Sequence, residues 1–280
     1  MKAIESALAW LAIGALVLIA LPVMLVVRAF DWGPAHVRTG RTFRRIGALA
    51  TRLNPAWHVE VGGVDPSTLR HPYVVVSNHQ SLADIPVISR LPWEMKWVAK
   101  AELFRLPVMG WLMRLADDIP VDRKDTASRA SVLRRTQDRI RHGVSVMFFP
   151  EGTRSRDGRV KTFYDGAFAL AIEAGVPVLP LAIDGTMDAL PKHGWQFSHA
   201  DVRLDVLPPV PTAGLTEADV PALRDRVRGM ILDHVAAWRE VPAASVDALA
   251  APVGAELALE PPQATPVENA AKSSPQASRP

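Results

Sequence analysis

The sequence contains no cysteine. Disulfides, thiolate metal sites and a cysteinyl acyl-enzyme are therefore excluded together. The formal net charge of the 280 residues is only +3, and no basic stretch interleaved with aromatic side chains is typical of a nucleic-acid module. With 49% hydrophobic residues, the chain is long enough for one sizeable core, with material left over at both ends.

Charge is also missing from the 21 residues between Ala7 and Val27. A helix of this length can cross a bilayer core of roughly 30 Å. The stretch from Arg28 to Trp57 carries six arginines against Asp31 alone, a balance of +5, and the positive-inside rule then places the rest of the chain in the cytoplasm. A secretory signal peptide is the competing interpretation, which the long apolar run and the lack of a small-residue cleavage site disfavour.

The next segment, residues 35–54, alternates arginines with apolar side chains. This pattern predicts an amphipathic helix on anionic headgroups, and an ordinary basic surface helix is the alternative. Because Pro22 can bend the first helix, the sequence leaves open whether that helix spans the bilayer or lies in one leaflet. We interpret residues 1–56 as membrane-associated helices.

The middle of the chain alternates predicted strands with predicted helices. Strands are predicted at residues 58–61, 73–77, 144–149, 178–183 and 202–207. Helices are predicted at residues 127–141, 163–174 and 216–238. The alternation predicts one α/β domain over residues 57–240, in which helices flank a mostly buried sheet. Residues 241–280, rich in Ala, Pro, Ser, Gln and Glu, are predicted to be a disordered tail.

Residues 91–115 combine three tryptophans with lysines and arginines. This mixture is favoured at the bilayer interface, and packing in the core is the alternative for each tryptophan. We expect this stretch to contact the membrane.

The segment from Ser77 to Asp84 places a histidine and a carboxylate directly after a predicted strand. Imidazole is well matched to proton transfer near neutral pH, and a nearby carboxylate can fix its tautomer and stabilise its charged form. His79 and Asp84 therefore predict a site in which the imidazole activates a hydroxyl group. The alternative is a local hydrogen bond for His79 and a helix N-cap for Asp84, with Pro86 in the first turn.

A second polar cluster, Phe149 to Ser155, follows the predicted strand at residues 144–149. Gly152 allows a ligand to approach the backbone closely, and Arg154 can hold a phosphate with a planar fork of donors. A polar turn is the alternative. Because both clusters leave the carboxyl ends of predicted strands, we expect them to converge on one crevice of the sheet.

Asn78-His79 with Asp84, followed some seventy residues later by the run from Phe149 to Arg154, resembles the glycerolipid acyltransferases. The closest resemblance is to the 1-acylglycerol-3-phosphate acyltransferases, which make phosphatidic acid from lysophosphatidic acid. Residues 118–123 and 176–180 are similar to two further blocks of the family, although Asp117-Asp118 stands where glycine often precedes the apolar pair. The resemblance covers roughly residues 5–210.

The resemblance implies that His79 is the general base and that Asp84 holds its imidazole. Because Glu151 would lie beside an anion, we expect it to orient an arginine or to accept a hydrogen bond from a glycerol hydroxyl, and not to touch the phosphate. For Lys100, a solvated surface lysine is equally consistent. The substrate-binding residues that the resemblance implies are Asn78, Lys100, Arg123, Phe149, Glu151, Gly152, Thr153 and Arg154.

The resemblance further implies no metal and no cofactor, with acyl-CoA or acyl carrier protein as co-substrate. The implied partners are a lysophospholipid, an acyl thioester and membrane lipids, with no nucleic acid. The predicted location is a bacterial-type inner (cytoplasmic) membrane, with the catalytic domain facing the cytoplasm. Two alternatives stay open: another acceptor, such as a lyso-ornithine lipid or a different lysophospholipid, and a non-catalytic lipid-binding membrane protein. The pairing of His79 with Asp84 argues against the second alternative.

Overall fold

The computed structural model describes residues 2–65, 68–69, 72–122 and 125–249. Within these residues one sheet contains seven strands: β1 (Trp57–Gly63), β2 (Val74–Ser77), β3 (Met95–Lys100), β4 (Ile119–Val121), β5 (Ser145–Phe148), β6 (Val178–Asp184) and β7 (Ala200–Val206). Their spatial order is β1-β7-β6-β2-β5-β3-β4, and all neighbours are parallel except β6 and β7. The predicted α/β fold is confirmed.

Helices flank this sheet and precede it. In the described part of the chain they are α1 (Lys2–Ala29), α2 (Val37–Ala50), α3 (Asp84–Ile88), α4 (Met109–Leu115), α5 (Thr126–Arg141), α6 (Gly166–Ala174), α7 (Thr186–Ala189), α8 (Val220–Arg239) and α9 (Ala243–Val246). Short 3₁₀ helices, Ala101–Arg105 and Glu217–Asp219, precede α4 and α8.

The central strand β2 explains how the sheet is covered. Its three valines are fully buried, because a parallel strand has helices on both faces and therefore reads as a continuous apolar run. Val74 and Val76 belong to the core formed with α5, α6 and α8, whereas Val75 belongs to the core on the side of α3. Because β2 lies between β5 and β6 and is parallel to both, the carboxyl ends of these three strands meet at one edge.

Strands β3 and β4 were missed by the sequence prediction. Lys96 interrupts the apolar pattern of β3, yet its side chain is fully buried. Its ammonium group donates hydrogen bonds to Glu94 at 2.9 Å and to the carbonyl of Ala116 at 2.8 Å. A charge can lie inside a sheet only with such partners, and the strand pattern does not reveal them.

The three tryptophans of residues 91–115 have different surroundings. Trp97 is buried in the core, Trp93 is half-buried, and Trp111 on α4 is 52% exposed. The expectation of membrane contact therefore depends on Trp111, because core packing accounts for Trp97.

Helix α2 is held on the domain by buried charges as well as by apolar contacts. Arg44, one of the arginines predicted to lie on headgroups, is buried and forms an ion pair with Asp118, the residue before β4. Gly40 lies so close to the Glu94 carboxylate that a Cβ atom there would be 1.8 Å from it. The other arginines of residues 35–54 are at least partly exposed: Arg38, Arg41, Arg45 and Arg52.

Helix α1 is 28 residues long and is the one helix of the described residues that is long and apolar enough to cross a membrane. Near its start, the Ser6 hydroxyl accepts a hydrogen bond from the backbone N–H of Phe197 at 2.9 Å. Near its end, Met24 is fully buried against α4. The opposite face exposes large apolar side chains: Ile4, Leu8, Leu11, Leu18, Ile19, Leu25 and Val26.

The first part of the predicted tail packs against the domain. Val246 of α9 is buried, and its carbonyl accepts a hydrogen bond from the backbone N–H of Val160 at 2.8 Å. Asp247 forms an ion pair with Arg228 of α8. The described structure therefore extends beyond residue 240 to residue 249, and residues 250–280 of the predicted tail lie outside the described residues.

Candidate active site

The loop after β2 brings the imidazole of His79 against the carboxylate of Asp84. The distance from His79 Nδ1 to Asp84 Oδ2 is 2.6 Å, and the carboxylate is fully buried. The same oxygen accepts the backbone N–H groups of Gln80 and Ser81 at 2.8 and 3.0 Å, while Oδ1 accepts the hydroxyl of Thr186. Because Nδ1 faces a carboxylate, we assign its proton there, which leaves the lone pair on Nε2.

The ring of His79 is also fixed from one side by Phe149. The two ring centroids lie 3.9 Å apart with an angle of 14° between the planes, which is a stacked arrangement. Trp97 supports Phe149 at a centroid distance of 5.8 Å. The His79 side chain is 15% exposed, so the imidazole is held in one orientation and can still be reached from outside.

The two polar clusters meet, as the sequence predicts. The backbone N–H of His79 donates to Glu151 Oε1 at 2.9 Å, and the backbone N–H of Ser155 donates to the carbonyl of His79 at 2.7 Å. These bonds are possible because β2 and β5 are adjacent parallel strands whose exits lie side by side. The histidine loop and the Glu151 loop are therefore one unit.

Glu151 is 3% exposed, and its environment decides its charge. Burial raises the pKa of the Glu151 carboxyl from 4.5 to about 8, although the backbone N–H of His79 and the charge of Lys161 act in the opposite direction. The charge of Asp84 raises this pKa further. At neutral pH the carboxyl is therefore mostly protonated, which accounts for an acidic residue beside a predicted anion site.

Four more of the predicted binding residues, Gly152, Thr153, Arg154 and Lys100, lie at the same edge of the sheet. Gly152 has φ 75°, Thr153 is exposed and Arg154 is half-buried. Lys100 is exposed at the end of β3, where it pairs in register with Val121 of β4. Arg123, two residues beyond Val121, lies outside the described residues, so its predicted role stays a prediction.

Asn78 was predicted to bind substrate, and the structure uses its side chain within the fold. Its amide nitrogen donates to the carbonyl of Ile183 at 2.8 Å, and its amide oxygen accepts the N–H of Ile183 at 3.0 Å. The side chain thereby continues the pairing of β2 with β6 past the end of the strand. This geometry favours a structural role, and a contact with substrate stays a prediction.

The sequence reasoning missed the contribution of the segment after β6. Thr186 reaches the Asp84 carboxylate, and Lys192 donates to the carbonyl of Arg154 at 2.9 Å. The sequence did contain a signal for this segment. The strand at residues 178–183 was predicted, and the segment that follows it leaves the sheet beside the exit of β2. Within the described residues, no three His, Cys, Asp or Glu side chains are grouped so that they could hold a metal ion.

Comparison with known proteins assigns this site to a class. A family model described as Acyltransferase matches residues 58–184, a range that contains both polar clusters. This part of the chain is therefore similar to the acyltransferase family.

The relatives within this family carry a more specific name. The chain is 42% identical over 176 residues to the human 1-acyl-sn-glycerol-3-phosphate acyltransferase alpha, covering 62% of each chain. It is 38% identical over 161 residues to the chloroplastic 1-acyl-sn-glycerol-3-phosphate acyltransferase of Brassica napus, covering 56% of this chain and 46% of the relative. The matched region thus spans about half to three fifths of the length of these curated relatives.

A solved structure extends the similarity beyond the matched domain. The crystal structure of the 1-acyl-sn-glycerophosphate (LPA) acyltransferase PlsC from Thermotoga maritima has a TM-score of 0.69 to this chain at 26% sequence identity. The superposition covers 84% of this chain and 96% of the other. The shared fold therefore includes more than residues 58–184.

Proposed function

We propose that the chain is a membrane-associated acyltransferase. It moves an acyl group from acyl-CoA or acyl carrier protein to the sn-2 hydroxyl of 1-acylglycerol-3-phosphate and gives phosphatidic acid. The observation that carries this proposal is the hydrogen bond from Ser155 to His79, which joins a general base to the loop of Arg154. A base for a hydroxyl and a cation for a phosphate share one edge of the sheet. The names of the relatives point to the same acceptor.

His79 is placed to act as the general base. Because Nδ1 donates to Asp84, Nε2 takes the proton of the acceptor hydroxyl while the hydroxyl oxygen attacks the thioester carbonyl carbon. The new C–O ester bond forms, the C–S bond breaks, and the imidazolium returns its proton to the departing thiolate. The buried carboxylate of Asp84 stabilises the imidazolium between these two proton transfers.

The charge around the site supports an acceptor that carries a phosphate. Arg154 offers a planar fork of donors, and the mostly protonated Glu151 adds little negative charge beside it. Lys100 and Arg123 stay the predicted additional cations. A lyso-ornithine lipid has no phosphate and would leave these cations without a partner. A purely lipid-binding protein would have no need of a histidine fixed by a buried carboxylate.

A panel of acceptors and donors tests this proposal. Full-length protein in mixed micelles is given lysophosphatidic acid, glycerol 3-phosphate or lyso-ornithine lipid, each with an acyl-CoA and with an acylated carrier protein. We expect acyl transfer to lysophosphatidic acid to be the fastest, with phosphatidic acid identified by mass spectrometry. Faster transfer to either other acceptor would contradict the assignment, and the two thioesters identify the donor.

Replacement of Arg154 by alanine is expected to raise KM for lysophosphatidic acid by about 10- to 100-fold, the range for a hydrogen bond to a charged group. The effect falls mainly on KM because the guanidinium holds the phosphate before and during the reaction. Steady-state kinetics measure it, with Arg226→Ala, an exposed arginine of α8, as the matched control. A decrease in kcat with KM unchanged would contradict the assignment of Arg154 to the phosphate site.

The position of α1 supports a membrane attachment in which this helix lies in one leaflet. A 28-residue helix is about 42 Å long, and it contacts the domain near both its start and its end through Ser6 and Met24. A helix held in this way cannot cross the bilayer unless the domain enters the hydrocarbon with it. Its exposed apolar face then lies in the lipid, and the exposed arginines of α2 are available to anionic headgroups.

Cysteine labelling measures this topology, because the chain has no cysteine of its own. Ile4→Cys at the start of α1 and Arg226→Cys on the domain are each treated with a membrane-impermeant maleimide. In intact spheroplasts we expect neither variant to react, and after lysis we expect Arg226→Cys to react. Labelling of Ile4→Cys before lysis would show that the helix spans the membrane.

A further inference from the structure

The loop after α7 brings one more lysine to the site. Lys192 is half-buried, and its ammonium group donates to the main-chain carbonyl of Arg154 at 2.9 Å. Two residues earlier, the carbonyl of Leu190 accepts the hydroxyl of Ser81 at 2.6 Å, within the buried part of the histidine loop. The segment that carries Lys192 is therefore bonded to both loops of the site, and Lys192 itself is bonded to the Arg154 loop.

Lys192 is one of four neighbouring basic residues. Partial burial first, and then the positive charges of Arg156, Arg154 and Lys161, lower the pKa of the Lys192 ammonium group. In the part of the chain that the structure describes, none of these four side chains forms an ion pair with a carboxylate. Glu151, which Lys161 influences, is mostly protonated at neutral pH. The cluster of Arg154, Arg156, Lys161 and Lys192 therefore has a net positive charge.

We propose that Lys192 is a specificity-determining residue, an inference that rests on the proposed function. Lys192 selects an acceptor with a phosphomonoester dianion over an acceptor with a singly charged phosphodiester. Like charges held together repel each other, and a dianion relieves this repulsion more than a monoanion does. A lysine ammonium group has three donors, and the bond to Arg154 uses one of them. The others are available to phosphate oxygens, whose bonds to an ammonium group are charge-assisted.

The test compares lysophosphatidic acid with its phosphate methyl ester, which carries one negative charge, in the full-length protein. Lys192→Gln keeps an N–H donor for the Arg154 carbonyl and removes the charge. We expect KM for lysophosphatidic acid to rise about ten-fold, with kcat within about two-fold and KM for the methyl ester nearly unchanged. Lys192→Arg is expected to recover most of the preference for the dianion.

Two results would overturn the inference: an unchanged KM in Lys192→Gln, or an equal rise for both acceptors, which would show a merely structural lysine. Arg226→Gln is the control for the loss of one charge outside the cluster. If Lys192→Gln fails to fold, Lys192→Met, which nearly keeps the length of the side chain and removes its charge, takes its place with the same expected loss of preference.

A binding measurement distinguishes a failure of this inference from a failure of the proposed function. Equilibrium binding of both lipids to the wild type and to Lys192→Gln is measured without an acyl donor. If the wild type transfers no acyl group but still binds the dianion preferentially through Lys192, the proposed function fails and this inference stands. If the wild type transfers the acyl group and the variant keeps the preference for the dianion, the proposed function stands and this inference fails.

Discussion

Replacement of His79 by alanine is expected to lower acyl transfer by about 10²- to 10⁴-fold, the usual contribution of a general base. The reason is the position of Nε2, which is the nitrogen left unprotonated when Nδ1 donates to Asp84. The measurement is kcat with lysophosphatidic acid and an acyl thioester, both at saturating concentration.

The same variant is expected to fold. Without His79, the buried carboxylate of Asp84 keeps three donors, the backbone N–H groups of Gln80 and Ser81 and the hydroxyl of Thr186. The charge is therefore still solvated by hydrogen bonds, so the variant should fold, with a midpoint of thermal unfolding below that of the wild type because one hydrogen bond to a buried charge is lost.

The chain offers a matched control for His79 in an exposed histidine and carboxylate pair. His58 lies 3.3 Å from Glu60, and both side chains are largely exposed, so the pair contributes little to stability. His58→Ala should keep wild-type kinetics and stability. Retained activity in His79→Ala would contradict the assignment of His79 as the general base.

The catalytic part of the site was predictable because it follows from local sequence and one rule of topology. His79 and Asp84 are five residues apart, where the loop after β2 leads into α3, so a single turn can bring them together. The convergence with Glu151 required only that two strands be parallel neighbours in a sheet, and β2 and β5 are such neighbours. Both predictions depend on short-range geometry or on the general architecture of α/β sheets.

Contacts that depend on distant partners were not predictable in this way. Lys96 interrupts the strand pattern, and one of the groups that compensate its buried charge is the carbonyl of Ala116, 20 residues further along the chain. The local pattern predicts Arg44 as a headgroup ligand, but its partner is Asp118, which lies 74 residues further along the chain. For each of these charges, tertiary contacts outweigh the local pattern.

Backbone conformation accounts for one departure from the family pattern. Asp117 is the first residue of the pair Asp117-Asp118, which stands where glycine often precedes the apolar pair, and its φ of 64° lies in the left-handed region. Glycine adopts this conformation without strain, whereas aspartate is one of the residues that tolerate it. The change of residue at this position therefore leaves the turn into β4 intact.

The ionisation of Glu151 leads to the second large effect, a dependence of stability on pH. The folded-state pKa of about 8 lies above the ordinary value of 4.5, so the folded chain holds this proton more tightly than the unfolded chain does. The stability that this residue contributes is then full below pH 4.5 and falls as the pH rises toward 8. Each pH unit in this window costs at most about 1.4 kcal/mol of the free energy of unfolding.

Glu151→Gln removes this titration while keeping an oxygen that can accept the N–H of His79. We expect the variant to gain stability relative to the wild type between pH 5 and pH 8, by up to about 4 kcal/mol at the upper end. Denaturant unfolding of the full-length protein in detergent, at pH 5 and at pH 8, measures the difference. Glu173→Gln is the matched control, since that carboxyl is exposed on α6.

The kinetics of Glu151→Gln decide what the carboxyl does in the reaction. A protonated carboxyl and an amide carry the same charge, so the variant should keep most of the affinity for lysophosphatidic acid at pH 7. A pH-independent stability difference together with a large rise in KM would mean that Glu151 works as a carboxylate, for instance by orienting a cation of the phosphate site. If instead the stability difference between the variant and the wild type grows with pH and KM is retained, the site holds its phosphate beside a neutral acid.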